Sequence, residues 1–200
     1  RLFLRAHKAV TILVGMAFVI LSNGMDNTVH IRKAANEDCE VIAALGKKTF
    51  TETYSETGNN AVVQEYIEKR LSVENIRAEL DDPRAWFYIG FVNEEPVAFA
   101  RLRYDRVAKG LASKKAIEIE HLYVLKTYQG FKVGKEMMEK CKEAAIREKF
   151  DAMWLRVWQQ NHKAIRFYLT AGFVVYETEQ FDYGSNIPQD DFLMRLDLYY

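Results

Sequence analysis

Apolar and polar residues first alternate and then take up a helical spacing in the segment that begins near residue 28. Val29 and Ile31 alternate with polar neighbours and predict a strand. The segment NEDCEVIAALGKKTF then places Cys39 and Ile42 on one face of a helix, with Asn36 as the candidate N-cap. Two more helical segments follow, NAVVQEYIEKRL and SVENIRAELDD, the second of which begins with a serine cap.

The central part of the chain predicts a sheet. AWFYIGFV and PVAFARLRYD flank the polar residues NEE, so we expect a hairpin, and AIEIEHLYVL adds a third strand. VGKEMMEKCKEAAIREK then returns to helical spacing, before strand AMWLRVW, helix HKAIRFYLTAG, and strands FVVYETEQF and DFLMRLDL. This alternation of strand and helix predicts an α/β fold, with a mixed sheet that contains at least one parallel crossover.

Size and composition favour a single domain. The chain has 200 residues, 49% of them hydrophobic, which is enough for one core. Lys plus Arg and Asp plus Glu number 28 each, so the bulk charge does not indicate a nucleic-acid or membrane partner. The two cysteines, Cys39 and Cys141, lie in helical segments without metal-ligand spacing, and we expect buried free thiols.

Residues 1–24 differ from the rest of the chain. Arg1, Arg5 and Lys8 precede the apolar run AVTILVGMAFVILS, which is short for a membrane span and about right for a signal-peptide core. A secretory leader, a short anchor, and upstream sequence before a start at Met25 all remain open. We favour the last, because residues 25–200 have the pattern of a single cytoplasmic domain.

The stretch YQGFKVGKEMMEKC joins a strand to a helix in a glycine-containing turn. Gln129 stands where a Walker loop needs its first glycine, and the spacing of Gly130 and Gly134 does not fit a dinucleotide fingerprint. The unpaired N–H groups of a helix that starts near Val133 would still favour an anion such as pyrophosphate. An ordinary strand-to-helix turn explains this stretch alone equally well.

Two motifs in the second half resemble those of the GNAT acetyltransferase superfamily. The residues that match the signature N-x-x-A-x-x-F-Y-x-x-x-G-F are Asn161, Ala164, Phe167, Tyr168, Gly172 and Phe173. Upstream, Gln129, Lys132 and Gly134 fall on the [QR]-x-x-G-x-[GA] loop, with Lys132 in place of the first glycine. The segments KKTFTETY, IEIEHLYV, MWLRVW and NHKAIRFY look more narrowly like bacterial spermidine and spermine acetyltransferases.

The resemblance covers about residues 29–198 and implies a GNAT fold with a splayed pair of parallel strands. It also implies acetyl-CoA as the acetyl donor: the edge of the first strand would pair with the pantetheine arm, and the turn would take the pyrophosphate. The residues so assigned are Leu122, Tyr123, Val124, Gln129, Gly130, Phe131, Lys132, Val133, Gly134, Lys135, Asn161, Ala164 and Phe167. We expect the turn to keep its pyrophosphate binding despite Lys132, because Gly130 and Gly134 supply the flexible positions. At a negative φ the lysine would add its charge near the phosphates, whereas a positive φ would cost roughly 1 kcal/mol or more of strain, and both conformations remain open.

Acetyl transfer to an amine needs a base, an oxyanion donor and an acid. We expect Glu120 to take the proton of the ammonium, directly or through a water, with Glu118 on the same strand face as the reserve. Tyr168 is the expected acid, since a phenol can donate to the thiolate while neutral; a packed helix aromatic is the alternative. A backbone N–H near Tyr123 or Val124 would meet the oxyanion.

The two histidines near these motifs are not expected to act as bases. Alternation along the strand should turn His121 away from Glu120, and His162 lies in the turn before a helix, so both favour surface or packing roles. For the acceptor amine the candidate wall is the helical region KKTFTETYSE, and its residues are Phe50, Glu52, Tyr54 and Glu56, joined by Glu118. A solvated helix surface accounts for the same residues.

The sequence therefore predicts an N-acetyltransferase that moves an acetyl group from acetyl-CoA to a primary amine by direct attack in a ternary complex. The acceptor would be a small molecule such as a polyamine, or a lysine-like amine on a peptide. No metal, nucleic acid or membrane is expected for the core domain, and a homodimer is left open. The alternative is a non-catalytic module of the same fold that binds acyl-CoA or a partner protein.

Overall fold

The computed structural model describes residues 28–54, 60–182 and 188–199, so residues 1–24 lie outside it. Within these described ranges, a seven-stranded sheet carries five α-helices. The strands are β1 (Val29–Lys33), β2 (Ala85–Val92), β3 (Glu95–Arg103), β4 (Ala116–Val124), β5 (Ala152–Trp158), β6 (Val174–Asp182) and β7 (Pro188–Asp197). The helices are α1 (Cys39–Tyr54), α2 (Asn60–Arg70), α3 (Val73–Leu80), α4 (Val133–Arg147) and α5 (His162–Thr170).

The sheet order is β1-β2-β3-β4-β5-β7-β6, and all pairs are antiparallel except β4 with β5. These two parallel strands pair only from Ala116–Ala152 to Glu118–Trp154 and then separate. Beyond that point the β5-facing edge of β4, from Ile119 to Val124, is not paired with β5. The predicted mixed sheet with a splayed parallel pair is confirmed.

Helices cover both faces of the sheet. A Cβ added at Gly90 would lie 3.0 Å from Met137 of α4, so Gly90 faces α4. Phe87, three residues earlier on β2, instead lies beneath the Arg101 guanidinium, which binds Glu79 of α3. Because side chains three apart on a strand point to opposite faces, α4 and α3 cover opposite sides of the sheet.

The predicted hairpin and one predicted cap are confirmed, whereas another cap is wrong. β2 and β3 are joined by Asn93 and Glu94, both with positive φ, as a two-residue hairpin turn of type I′ requires. The Ser72 side chain accepts a hydrogen bond from the N–H of Asn75 at the start of α3. Asn36 is not the N-cap of α1; it opens a short 3-10 helix and its amide donates to the Asp81 carboxylate.

A β-bulge in β4 changes the faces that its side chains occupy. Arg101 of β3 lies opposite His121 and Leu102 opposite Ile119, so Glu120 is an extra residue in the ladder. His121 shares a face with its partner Arg101, and the Arg101 guanidinium also contacts the Glu120 carboxylate at 3.0 Å. The expectation that His121 turns away from Glu120 is therefore wrong.

Both cysteines are buried and free, as predicted. Cys141 lies with Met137 and Met138 in the main core beneath α4. A smaller core packs Ala108 and Leu111 against Trp154 on the other side of the sheet. Among the described helices, none combines the length and the apolar character that a bilayer crossing requires.

Candidate active site

A cavity of about 990 Å³ opens where β4 and β5 separate. This volume lies at the upper end of the range of about 300–1,000 Å³ that ligand sites usually have. Its lining includes most of the residues that the sequence singled out: Phe50, Glu52, Tyr54, Glu118, Glu120, Leu122, Tyr123, Val124, Gln129, Gly130, Lys132, Gly134, Lys135, Asn161, Ala164, Phe167 and Tyr168. The unpaired edge of β4 runs along this cavity.

Two residues of the predicted cofactor set do not line the cavity. Val133 is 1% exposed and belongs to the core, while Phe131 is 41% exposed and contacts the ring of Tyr128 instead. The structure therefore does not bring these two side chains together with the rest of the predicted set. Only their backbone groups remain candidates for phosphate contacts.

The turn after β4 leads directly into α4. Gln129 donates a hydrogen bond from its side-chain amide to the Val124 carbonyl, and Gly130 has a φ of 99°. Lys132 is the N-cap of α4 and has a φ of 65°, so of the two conformations left open for this position the strained, left-handed one occurs. The first turn of α4 faces its unpaired N–H groups into this volume, which favours an anion.

Lysines surround this turn. Four lysines line the cavity near this turn: Lys126, Lys132, Lys135 and Lys163. The Lys163 ammonium contacts the side-chain oxygen of Gln129. Lys163 was missed by the sequence analysis, although it lies two residues after Asn161 within the motif. Its charge comes from α5, so it joins the turn only through tertiary packing.

The motif residues around α5 have local structural roles. Asn161 is the N-cap of α5 and its side-chain oxygen accepts from the Ala164 N–H at 3.1 Å, which explains the spacing of these two residues. Phe167 packs over the start of α4, where a Cβ added at Gly134 would lie 3.4 Å from its ring. That is ordinary contact distance, so alanine would also fit at this position.

Carboxylates and arginines alternate across the cavity floor. Arg106 contacts both Glu118 (3.3 Å) and Glu120 (3.1 Å), which places these carboxylates on one face as expected. Arg101, only 2% exposed, lies between Glu120 and Glu79 at 3.0 and 2.7 Å. Arg156 then joins Glu118 at 3.3 Å. Glu118 and Glu120 are thus both neutralised by protein cations.

Burial and these contacts shift the pKa values of the two glutamates in different directions. Burial raises the pKa of Glu118, and its arginine partners only partly compensate. Burial also acts to raise the pKa of Glu120, but His121, Arg101 and Arg106 outweigh it and the pKa falls below the ordinary value. Arg101 and Arg106 carry a permanent positive charge and contact the Glu120 carboxylate directly, so they keep Glu120 ionised at neutral pH.

His121 is buried beside Glu120. Its ring stacks on Tyr123 at 5.4 Å and meets the edge of Phe99 at 6.1 Å, and burial lowers its pKa to about 4. Its Nδ1 has no hydrogen-bond partner among the described residues. His162, in contrast, is exposed at the start of α5, as predicted.

Tyr168 lies on α5 at the cavity wall and is 8% exposed. Its ring meets Phe167 and Phe173 nearly edge-on, at 5.3 and 5.8 Å. Burial raises its pKa well above the usual range, so the phenol is protonated at every physiological pH. The side chain therefore combines the packing role and the protonation state that an acid needs.

Aromatic rings from three elements form what we call the acceptor wall: Phe50, Tyr54, Tyr66 and Trp158. Phe50 lies parallel to Tyr66 at 4.3 Å and contacts Tyr54 at 4.5 Å, and Tyr54 approaches Trp158 at 6.0 Å. Tyr66 was not predicted, because it lies on α2 and joins the wall only in three dimensions. Arg70, one turn after Tyr66, also lines the cavity.

The two acidic residues predicted for this wall fare differently. The Glu52 carboxylate lines the cavity and accepts a hydrogen bond from the Lys126 backbone N–H at 2.9 Å. It therefore fixes the segment after β4 to α1. Glu56 lies outside the described residues.

No group of three metal-ligating side chains occurs in the part of the chain that the structure describes.

Comparison with known proteins defines the class. The family model described as the acetyltransferase (GNAT) family matches residues 47–173, which is more than half of the chain. The chain therefore belongs to the acetyltransferase (GNAT) family. The expectations of this fold, of an acetyl-CoA-dependent N-acetyltransferase and of acetyl-CoA as the cosubstrate are confirmed.

The individual relatives are distant in sequence, but the alignments cover nearly the whole length of each relative. An uncharacterized N-acetyltransferase in the pepI 3′ region of Lactobacillus delbrueckii subsp. lactis is 25% identical, over 84% of this chain and 96% of the relative. A spermidine N(1)-acetyltransferase of Thermoplasma acidophilum is 22% identical, over 78% and 94%.

Solved structures share the fold. The paia N-acetyltransferase of Thermoplasma acidophilum in complex with coenzyme A superposes with a TM-score of 0.70 at 23% identity, over 86% of this chain and 99% of that one. The structure of yncA from Salmonella typhimurium with its cofactor acetyl-CoA gives a TM-score of 0.64 at 20% identity, over 86% and 95%.

Proposed function

We propose that this chain transfers the acetyl group of acetyl-CoA to a primary amine by direct attack within a ternary complex. The observation that carries the proposal is the cavity itself. It runs along the unpaired edge of β4, ends on the basic turn before α4, and has a carboxylate and a phenol in its wall. Acetyl-CoA supplies the activated thioester.

Each part of the reaction has a candidate group. Glu120, ionised beside its arginines, takes the proton from the acceptor ammonium directly or through a water. The amine nitrogen then bonds to the carbonyl carbon as the C–S bond breaks, and Tyr168 gives its proton to the leaving thiolate. The second proton that the nitrogen loses on becoming an amide restores the phenol. A backbone N–H at Tyr123 or Val124 stabilises the oxyanion.

The depressed pKa of Glu120 limits what it contributes. An alkylammonium has a pKa of about 10.4, so a carboxylate below its ordinary pKa removes the proton only against a steep gradient. We therefore place Glu120 at the lower end of the factor of about 10²–10⁴ usual for acid–base catalysis. The neutral fraction of the amine then controls the rate, which should rise with pH through neutrality.

The proposed acceptor is a small primary amine or a lysine-like amine. Such an amine fits an aromatic wall beside carboxylates, and spermidine belongs in the test because one relative bears that name. Residues 25–200 would act as one cytoplasmic domain. The non-catalytic alternative loses ground because Asn161, Gly134 and Tyr168 are all retained at the cavity.

Release of free thiol from acetyl-CoA tests the function. We expect at least one amine from a panel of polyamines, amino acids, amino sugars and lysine peptides to increase thiol release far above background hydrolysis. Mass spectrometry should find the acetylated product. Tight binding of acetyl-CoA with no acceptor turned over would contradict the proposal and favour the non-catalytic module.

A further inference from the structure

The charges around the cavity do not match those of a polyamine site. The described lining holds the carboxylates Glu52, Glu118 and Glu120 and a larger number of cations: Arg70, Arg106, Lys126, Lys132, Lys135, Arg156 and Lys163. The four lysines lie at the phosphate end, where an anionic cofactor accounts for them. The three arginines require a different explanation.

Two of these arginines are occupied by carboxylates. Arg106 is shared between Glu118 and Glu120, and Arg156 contacts Glu118 and Glu179. The same ion pairs neutralise the charges of Glu118 and Glu120. A second ammonium on the acceptor would therefore find its two best candidate counterions already paired, and it would have to displace an arginine to reach them.

Arg70 is different. It lines the cavity from the last turn of α2 and makes no ion pair with any carboxylate among the described residues. It lies one helical turn from Tyr66 and so borders the acceptor wall. Tyr66 and His121 line the same cavity as Arg70. Burial is the main cause of the pKa shifts of both residues, and the Arg70 charge acts to lower both pKa values.

We propose that the acceptor is a primary amine that also carries an anionic group, a carboxylate or a phosphate, which Arg70 binds while the acceptor wall packs against the body of the molecule. The guanidinium can hold either anion through two parallel hydrogen bonds. The amine end then points toward Glu120. This inference rests on the proposed function and names its substrate class.

Matched pairs of amines test it with the full chain. Tyrosine against tyramine and 6-aminohexanoate against 1,5-diaminopentane vary a carboxylate, O-phosphoethanolamine against ethanolamine varies a phosphate, and spermidine represents the polyamines. We expect kcat/KM to favour the anionic member of at least one pair by about tenfold or more, which corresponds to roughly 1.4 kcal/mol. The pair that shows the preference identifies the anion.

Variants of one helix position then assign the effect. Arg70→Gln should lower the anionic-to-uncharged selectivity ratio about tenfold, chiefly through KM, and Arg70→Lys should restore part of it. Lys69→Gln is the matched control, because Lys69 is exposed, pairs with Glu65 and does not line the cavity. It should leave the ratio unchanged.

Two results would overturn the inference alone: spermidine or 1,5-diaminopentane turned over as well as the anionic amines, or a preference that survives Arg70→Gln. Both would leave the acetyltransferase function standing. Thiol release with none of the amines, despite bound acetyl-CoA, would instead remove the proposed function together with the inference.

Discussion

Lys132 holds a backbone conformation that normally favours glycine. Its φ of 65° and ψ of −2° lie in the left-handed region, where a residue with a Cβ is less stable by roughly 1–2 kcal/mol. Strain of this kind concentrates at ligand sites, where the surrounding structure imposes it. Here the neighbouring Gly130, with a φ of 99°, shares the reversal of the chain direction before α4.

Two variants separate the strain from the charge at this position. Lys132→Gly and Lys132→Ala remove the same ammonium, but only glycine relieves the left-handed backbone. We expect the glycine variant to exceed the alanine variant in free energy of unfolding by about 1 kcal/mol, measured by urea denaturation. Acetyl-CoA affinity, measured by calorimetry, should fall in both. A glycine variant that binds markedly tighter than the parent would show that the lysine hinders the phosphates.

His121 should make stability depend on pH. Its pKa in the folded protein is about 4, against about 6.5 when unfolded, because burial and the nearby arginine charges disfavour its protonation despite the opposing charge of Glu120. Between these values the unfolded chain binds the extra proton, so stability is full above pH 6.5 and falls as the pH drops toward 4. The expected loss from this residue is about 3 kcal/mol.

The variant His121→Phe isolates this effect. Phenylalanine can keep the ring contacts with Tyr123 and Phe99 but cannot titrate. Urea denaturation at several pH values should show a flatter pH dependence for the variant than for the parent. Equal slopes would mean that folding does not lower the pKa of His121. Glu79 and Glu118, whose raised pKa values act in the opposite direction, are common to both proteins and cancel in the comparison.

Tyr168 is tested by removing one oxygen atom. Tyr168→Phe keeps the ring contacts with Phe167 and Phe173 but deletes the phenol proton. We expect turnover to fall by about 10²-fold or more, with little change in acetyl-CoA affinity or melting temperature. The neighbouring change Leu169→Ala, on the exposed side of α5, is the control for helix perturbation. Unchanged turnover in Tyr168→Phe would remove the phenol from the mechanism.

The sequence predicted most of the residues that line the candidate site, because motif spacing carries local information. Asn161 and Ala164 are linked by a single capping hydrogen bond, so their separation is visible in one dimension. Arg70 and Lys163 escaped notice because an isolated cation on a helix has no local signature. Each becomes a cavity residue only when α2 and α5 pack beside β4. The same holds for Tyr66 in the acceptor wall.

At the scale of elements, every described strand was anticipated from its apolar pattern, but the bulge in β4 was not. The stretch Glu118–Tyr123 contains no glycine or proline to mark a break, and its alternation looks regular. The extra residue becomes visible only in the pairing with β3, where Arg101 and Leu102 oppose His121 and Ile119. Because the bulge brings Glu120 and His121 to one face, it determines which groups meet at the cavity.

The N-terminus of α5 yields a prediction that separates capping from cofactor contact. Asn161→Ala should lose about 1 kcal/mol of unfolding free energy, since the Ala164 N–H loses its acceptor. Asn161→Asp keeps an acceptor there and, as an anion at a helix start, should keep the stability. Thermal and urea denaturation of both variants measure this. Equal destabilisation by the two changes would contradict the capping role.

The same pair of variants also tests the cofactor role of Asn161. The aspartate retains the cap but lacks the amide N–H groups. If acetyl-CoA affinity falls in the aspartate variant although stability is kept, there are two possible causes. Either the Asn161 amide contacts the cofactor, or the negative charge of the aspartate repels the cofactor. Asn161→Ser, a neutral cap without an amide, distinguishes these two causes.

At the scale of the whole molecule, a chain of zero formal net charge concentrates lysines at one end of a single cavity. The attraction for an anion is therefore local and does not follow from composition. This concentration comes from Lys126 and Lys132 near the turn, Lys135 in α4 and Lys163 in α5. It explains why the bulk charge carried no sign of the phosphate site that the motif indicated.

Acetyl-CoA should accordingly stabilise the folded chain, and its phosphates should be responsible. At a ligand concentration of 100 times Kd the gain is about 2.7 kcal/mol, which for a domain of this size raises Tm by roughly 5–10 °C. Acetyl-pantetheine, which lacks the phosphates, should give a much smaller shift at the same concentration. Lys163→Gln should reduce the acetyl-CoA shift, whereas Lys33→Gln, in β1 and outside the cavity lining, should not. Equal shifts with both ligands would place the binding energy in the pantetheine contacts with β4 rather than in the basic turn.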